Sequence, residues 1–215
     1  MQKASLVINM YLVALSMLFA TFILVANITA VKIIAVGSDG IDAGIIAYPL
    51  TFLISDVISE VYGRKTATKV VWLGFLVNLV MVSTIFLAGK LPAATFWTDQ
   101  PAYDTILGSV PRIVLGSMIA YIVSQNHDVI AFQMWRKFTK GRLLWVRNTA
   151  STLVSQGIDT FLFVIIAFSG LYSWDVLWSM IALTYTIKAL AAIADTPLVY
   201  LVTWYLKKDG QITNN

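Results

Sequence analysis

A row of polar residues interrupts the apolar stretch between positions 148 and 169 and repeats at helical spacing. Its members are Asn148, Thr152, Ser155 and Asp159 on a single helix face, with Ser151 and Gln156 at the edges of that face. A carboxylate and several hydrogen-bonding groups cannot face lipid without a large free-energy cost, so this face should line a bundle interior or a water-filled cavity. Such a cavity suits the binding or passage of a polar solute. Polar residues can also simply join helices, but a packing contact needs one or two of them rather than six.

Charged residues within or near the other apolar stretches extend this pattern. They are the cations Lys32, Arg112 and Lys188 and the anions Asp56, Glu60, Asp128 and Asp195. At a rise of about 1.5 Å per helical residue, Lys188 and Asp159 should lie at the same depth, near the middle of a membrane. The sequence therefore predicts an ion pair between these two side chains, whereas Asp195 is too far from Lys188 along the helix to pair with it directly.

Arg112 and the pair Asp56 and Glu60 each have two interpretations. Arg112 follows Pro111 in the outer half of a stretch, where a permanently charged guanidinium needs a carboxylate, carbonyl groups or a ligand. We expect it to bind a ligand or to act in gating, with a static structural contact as the alternative. Asp56 and Glu60 are four residues apart and share a helix face. They either fix the helix end as a charge cluster or, through Asp56, bind a proton or a substrate.

Two further polar faces accompany other apolar stretches. One contains Ser117, Tyr121, Ser124 or Gln125, and Asp128 at helical spacing. The other lies near the N-terminus, where small residues at such positions are more often packing contacts than ligands. On that second face we expect only Asn27 to reach a cavity.

The composition excludes several classes of protein. The 215 residues are 59% hydrophobic and 12% charged, which is the balance of an integral membrane protein and not of a soluble domain. The absence of cysteine excludes disulfides and thiolate chemistry, and a single histidine gives no basis for a zinc site. Without a glycine-rich phosphate loop, ATP hydrolysis by this chain is not expected. The net charge of +4 indicates cytoplasmic loops rather than nucleic-acid binding.

Six membrane-spanning helices are predicted to position these residues, in one all-α integral membrane domain over residues 1–215 with a central polar cavity. The spans are roughly 5–31, 43–61, 70–89, 106–124, 149–169 and 176–206. Lys and Arg concentrate in alternate connections, and the opposite connections carry mostly Asp. Because positive charge marks the cytoplasmic side, both termini should lie in the cytoplasm.

Four segments, in order along the chain, resemble those of the queuosine-precursor transporter family, also described as vitamin-uptake transporters. They are Phe52-Leu-Ile-Ser-Asp56-Val-Ile-Ser-Glu60-Val-Tyr-Gly63-Arg-Lys65, Gly108-Ser-Val-Pro-Arg112-Ile, Trp145-Val-Arg-Asn148-Thr-Ala-Ser151-Thr and Asp195-Thr-Pro197-Leu-Val-Tyr200. Shorter matches lie between them at Ser117, at 120–125, at Ser155-Gln156 and at Asp159-Thr160. The resemblance covers nearly the whole chain.

This resemblance implies uptake of a 7-deazaguanine, such as the nitrile precursor preQ0 or the aminomethyl precursor preQ1, across a bacterial-type cytoplasmic (inner) membrane and without a cofactor. A guanine-like ring presents two donors beside a carbonyl, which a carboxylate and an amide can recognise together. Asp159 with Gln156 or Asn148 would supply that set. Candidates for stacking on the ring are Phe161, Trp145, Tyr121 and Phe52. The expected substrate-binding residues are Asn27, Asp56, Arg112, Ser117, Gln125, Asn148, Ser151, Gln156, Asp159 and Thr160, and the expected coupling or ion-pair residues are Glu60, Lys188 and Asp195.

Two other functions stay open at this point. The size and six spans also suit a substrate-binding subunit of an ATP-driven vitamin importer, which would need ATPase and coupling subunits. An intramembrane enzyme that used Asp159 and a second acid would release a product different from its ligand. A carrier returns its ligand unchanged, and the sequence leaves its energy coupling and its assembly into a homo-oligomer open. The expected partners are a small-molecule substrate and the lipid bilayer, and not nucleic acid.

Overall fold

The protein is mostly helical. The computed structural model describes residues 9–138 and 144–208, except for the side chains at 128, 129, 132, 133, 135–138, 144–152, 192–200, 202, 203 and 205–208. Within these ranges the helices are α1 (Met10–Thr29), α2 (Tyr48–Tyr62), α3 (Arg64–Lys90), α4 (Gln100–Ile106), α5 (Val110–Phe138), α6 (Leu144–Phe168) and α7 (Trp174–Lys208). Short 3-10 turns precede α2 at Ala43–Ile46 and α5 at Leu107–Ser109.

The local sequence explains where the first helices begin and end. Asn9 caps α1, because its side-chain oxygen accepts hydrogen bonds from the backbone N–H groups of Tyr11 and Leu12 at 3.1 and 3.2 Å. Gly63 separates α2 from α3 with a φ of 86°, a backbone conformation that residues with a Cβ rarely adopt. The chain can therefore turn sharply between these two helices.

A β-hairpin lies between α1 and α2, where the sequence predicts an outer connection. Strand β1 (Ile33–Val36) pairs antiparallel with β2 (Asp39–Asp42), and Ile33 lies opposite Asp42. The 3-10 turn that follows the hairpin shifts the start of α2 to Tyr48, whereas the predicted span begins at residue 43. The hairpin returns the chain into the protein, so that Asp42 is only 5% exposed.

The helices are those of an integral membrane protein. Among the described residues, three helical stretches are long and apolar enough to cross a membrane: Met10–Thr29, Arg64–Lys90 and Gln100–His127. Large apolar side chains of α3, such as Trp72 and Leu73, are exposed on its surface, as lipid-facing residues would be. Each of the six predicted spans overlaps one of α1, α2, α3, α5, α6 and α7 in sequence. The number of crossings stays a prediction.

Two apolar clusters hold the helices together. The first joins α1, α2 and α3 and includes Phe19 and Phe75. The second joins α5, α6 and α7 through the buried side chains of Ile113, Val164 and Met180. A short turn connects α6 to α7, and the two helices pack against each other. They therefore lie side by side and point in opposite directions.

Candidate functional site

An ion pair is buried between α6 and α7. The Nζ atom of Lys188 lies 2.9 Å from Oδ2 of Asp159, and the two side chains are 6% and 11% exposed. These are the two residues that the sequence predicts to pair, and they meet because the α6–α7 turn brings positions of equal depth together. A charge buried among apolar helices needs a partner, and each of these groups is that partner for the other.

Side chains from α5 and α2 complete the surroundings of this pair. The hydroxyl of Ser124 lies 3.5 Å from Oδ1 of Asp159. The Lys188 ammonium lies over the ring of Tyr48, 4.8 Å from its centroid, where the ring face attracts a cation. Ser117 is buried beside the Tyr48 hydroxyl. The ammonium is therefore held both by a carboxylate and by an aromatic ring.

A small cavity borders Lys188. Its polar lining comes from Asn27 of α1, Asp42 of the hairpin, Tyr48 of α2 and Thr184 of α7, and Phe163 of α6 adds an apolar ring. The space in it that is open to the centre of a water molecule is about 20 Å³. That is room for about one water molecule. A larger ligand can enter only when the lining elements move apart.

Asp42 brings a second carboxylate to this cavity. Burial raises the pKa of Asp42 to about 6, although the nearby Lys188 ammonium and the backbone N–H of Gly44 act in the opposite direction. The Lys188 ammonium is already paired with Asp159. Asp42 is therefore a carboxylate near an ammonium that already has a carboxylate partner.

Buried polar atoms on α6 and α7 lack a partner. In the described part of the chain, Oε1 of Gln156, Oγ1 of Thr160 and Oγ1 of Thr184 make no hydrogen bond. Thr184 is only 1% exposed and lines the cavity. Leaving a buried polar group unpaired costs about 1–3 kcal/mol. An unpaired hydroxyl beside a cavity is therefore a group that a ligand can satisfy.

Arg112 contacts the end of α6 and does not line the cavity. Its guanidinium donates to the carbonyl oxygen of Ile166 at 2.6 Å and to both the carbonyl oxygen and the hydroxyl of Ser169, the latter at 3.0 Å. Carbonyl groups at the end of a helix have no partner within the helix, so Arg112 satisfies them. This is the static contact that the sequence left as the alternative to a ligand role.

The structure brings only part of the other predicted set to the cavity. Asn27 lines the cavity, is 2% exposed, and donates from Nδ2 to Oδ1 of Asn78 at 2.7 Å. Asp56 and Glu60 lie on the exposed face of α2, and Gln125 is exposed on α5. The predicted residues whose side chains lie outside the described part of the structure are Asp128, Trp145, Asn148, Ser151, Thr152 and Asp195.

Of the rings predicted to stack on the substrate, those that the structure describes do not line this cavity. Phe161, Tyr121 and Phe52 each pack against another aromatic ring and do not line the cavity. Tyr48 and Phe163 line it instead. These two rings are therefore the available surfaces for stacking.

Sequence reasoning missed Asp42, Tyr48 and Thr184. A signal for the hairpin was present, because the apolar run Ile33–Val36 is followed by Gly-Ser-Asp-Gly, and an apolar run before a glycine-containing turn is typical of a hairpin. The signal would have predicted that the chain turns back before Asp42. Nothing in the sequence distinguishes Thr184 from the other threonines of α7.

Comparison with known proteins identifies the family. Residues 42–202 match a family model described as "Putative vitamin uptake transporter". The chain belongs to this family. The matched range contains Asp42, Asp159 and Lys188, so the three charged groups of the site all lie within the part that matches the family model. No solved structure shows a significant match to the chain.

The curated relatives of this chain are named as transporters of queuosine precursors. A "Probable queuosine precursor transporter" of Bacillus subtilis (strain 168) is 38% identical over 188 residues, which cover 86% of this chain and 81% of the relative. The "Queuosine precursor transporter" of Escherichia coli (strain K12) is 30% identical over 128 residues, which cover 58% of this chain and 54% of that protein. The family and these names confirm the resemblance that the sequence predicted. They also confirm the prediction that the protein is a transporter rather than an enzyme.

Proposed function

We propose that this vitamin uptake transporter imports queuosine precursors, 7-deazaguanines such as preQ0 and preQ1, through the cavity beside Lys188. The names of its relatives support the substrate class. The buried pair of Lys188 and Asp159 supports the site and is the observation that carries the proposal. Ionisable residues inside a membrane protein are costly, and they typically mark the path of a substrate or an ion.

The proposed arrangement has six crossings, formed by α1, α2, α3, α5, α6 and α7, with both termini in the cytoplasm and the chain in the inner membrane. The distribution of Lys and Arg supports this orientation. Asp159 lies nine residues before the end of α6, or ~14 Å along the helix. In a hydrocarbon core about 30 Å thick, this depth supports a site near the midplane.

The small volume of the cavity supports an occluded state of a carrier. Because the space beside Lys188 holds about one water molecule, a flat heterocycle requires a wider form of the same site. We infer that the cavity opens alternately to the two sides of the membrane. The hairpin and α2 on one side and α6 and α7 on the other are the parts that would separate.

Recognition of the base would use the polar groups that line the cavity. The Lys188 ammonium can donate to the ring carbonyl, and the hydroxyl of Thr184 can accept from a ring N–H. Tyr48 and Phe163 offer faces for stacking. Asp159 is predicted to accept hydrogen bonds from two N–H donors of the ring. For that, Lys188 must turn away from this carboxylate and toward the ring carbonyl. Until then Asp159 keeps Lys188 charged and in place.

Uptake of labelled preQ0 and preQ1 into cells that cannot make them tests this proposal. We expect uptake with the wild-type protein and loss of at least about tenfold with Lys188→Met, which removes the ammonium but keeps most of the side-chain volume. Lys32→Met is the matched control, since Lys32 is exposed near the end of α1. No uptake with the wild-type protein, or full uptake with Lys188→Met at equal protein level, would contradict the proposal.

Proteoliposomes that contain only this protein separate a carrier from a subunit of an ATP-driven importer. A carrier takes up unmodified precursor without any further subunit. Dependence on added ATPase subunits would favour the importer, and recovery of a chemically changed compound would favour an enzyme.

A further inference from the structure

Together, the cavity and the ion pair beside it contain two acidic side chains and one basic side chain. Asp42 and Lys188 line the cavity, and the Lys188 ammonium is paired at 2.9 Å with Asp159, which does not line it. If both carboxylates are ionised, this group of three side chains carries one net negative charge. An uncompensated charge in a buried site is costly, so the excess must be neutralised by a proton or by a cation.

Among the described residues, the elements packed around Asp42 supply no second cation to it, and Lys32, just before the partner strand β1, is exposed. On α7 the charged group that faces it is Lys188, whose partner is Asp159 on α6. On α2 it is faced by the phenol of Tyr48, which is neutral at physiological pH. On α1 the cavity is lined by the amide of Asn27 and by two alanines, none of which titrates.

We propose that Asp42 is a cation subsite of the cavity, which binds a proton at acidic pH when no substrate is present and exchanges it for the ammonium group of a cationic substrate. The inference rests on the proposed function, because preQ1 carries a primary ammonium group and preQ0, its nitrile counterpart, is neutral. In the exchange no covalent bond to carbon changes. The carboxyl O–H proton passes to water. The carboxylate then accepts hydrogen bonds from the N–H groups of the ammonium.

Other features of the cavity suit a bound ammonium group. The hydroxyl of Thr184 has no partner among the described residues and can accept one of its hydrogen bonds. The Tyr48 ring already attracts one cation, Lys188. Burial raises the pKa of Asp42 to about 6, so the proton can leave near neutral pH.

The exchange makes the affinity for the two precursors depend differently on pH. A cation must displace the proton, so the affinity for preQ1 falls about tenfold for each pH unit below the pKa of Asp42 and is constant well above it. Neutral preQ0 leaves the proton in place. Its affinity should not fall as the pH is lowered.

Titration calorimetry of the purified full chain with preQ0 and with preQ1, between pH 5 and 8 in buffers of different ionisation enthalpy, tests the exchange. For the wild type we expect nearly one proton released per preQ1 at pH 5 and none per preQ0. Asp42→Asn should weaken preQ1 binding at pH 7 at least about tenfold more than it weakens preQ0 binding, and it should abolish the proton release. The control Asp39→Asn removes an exposed carboxylate from the same strand and should behave like the wild type.

Each other outcome has a definite meaning. Proton release with preQ1 that persists in Asp42→Asn would overturn the role of Asp42, while binding of both precursors would leave the import function intact. Failure of the wild type to bind either precursor would overturn both proposals. If Asp42→Asn binds neither precursor, Asp42→Glu decides, because a retained carboxylate must restore the proton release and its failure to do so would refute the subsite.

Discussion

Gly44 approaches α1 so closely that a Cβ atom added to it would lie 2.6 Å from the carbonyl oxygen of Ala26 and 2.8 Å from Oδ1 of Asp42. A backbone oxygen cannot move aside as the end of a flexible side chain can. The position of Gly44 therefore depends on the absence of a side chain. Through this contact the 3-10 turn is seated on α1, and Asp42 is held at the cavity.

Gly44→Ala should push the 3-10 turn away from α1. We expect the free energy of unfolding in detergent to fall by about 1–3 kcal/mol, as overpacking of a close contact does. Precursor uptake should fall as well, because the displaced turn carries Asp42 with it. Gly108→Ala is the control, since a Cβ atom at Gly108 would meet nothing within 4 Å. Equal stability and uptake of both variants would show that the turn is not seated as tightly as this distance indicates.

The pairing of Lys188 with Asp159 predicts a specific pattern in a double-mutant cycle. Lys188→Met or Asp159→Leu alone leaves a buried charge without its partner and should lower the free energy of unfolding by about 3–5 kcal/mol. The double variant removes both charges and should recover most of that loss. Denaturant titration of the four proteins in detergent measures the coupling. A double variant no more stable than either single variant would argue against the pair.

The same double variant separates stability from transport. Recovery of folding without recovery of uptake is expected, because the cavity would have lost the ammonium that faces the substrate. Full uptake by a stable double variant would mean that the pair has only a structural role.

The sequence predicted the ion pair but not the hairpin. The ion pair follows from the positions of charged residues along each helix, whereas the inward position of Asp42 depends on how distant parts of the chain pack together. Asp159 and Lys188 stand out because a charge within an apolar helix needs a partner, and depth along each helix follows from counting residues. Asp42 lies just before an apolar stretch and next to turn residues, where a carboxylate is normally at the surface. Only the pairing of β1 with β2 turns it inward, and that pairing depends on packing against helices that are distant in sequence.

Residue type and position left open what the polar groups contact. Arg112 has the chemistry of an anion-binding residue, yet it is near the end of α6, whose last carbonyl groups need donors. Asp56 shares a face with Glu60 as predicted, but that face of α2 is exposed. Periodicity gives the face of a helix, while the neighbour of that face is decided by tertiary packing.

Arg112→Gln should destabilise the protein without a change in substrate affinity. The variant loses charge-assisted hydrogen bonds to the end of α6, which are worth roughly 1.5–3 kcal/mol, and Arg112 does not line the cavity. Denaturant titration and the KM of uptake measure the two effects. Arg64→Gln, which removes an exposed guanidinium at the start of α3, should change neither. A large rise in KM at unchanged stability would instead favour the ligand role.

The buried carboxyl of Asp42 predicts how stability depends on pH. Its pKa is raised by burial from 3.8 to about 6, so its contribution to stability is fully present below the unfolded value and is lost as the pH rises through 6. At about 1.4 kcal/mol per pKa unit, the loss between pH 4 and pH 7 is up to about 3 kcal/mol.

Denaturant titration of the wild type, Asp42→Asn and Asp39→Asn across this pH range measures the contribution. Asp42→Asn should lack the decrease, and Asp39→Asn should keep it, because the side chain of Asp39 is exposed. The same decrease in all three proteins would assign it to another group.

Thr184→Val should make the protein more stable and a poorer transporter. Valine keeps the shape of threonine but removes a hydroxyl that is 1% exposed and has no hydrogen-bond partner among the described residues, so the free energy of unfolding should rise by about 1 kcal/mol. Uptake of precursor at low concentration should fall about tenfold, because the cavity loses an acceptor that only a ligand uses. Thr186→Val is the control, since the exposed Thr186 hydroxyl donates to the Ala182 carbonyl oxygen of its own helix. Lower stability with unchanged uptake would mean that the Thr184 hydroxyl serves the fold and not the substrate.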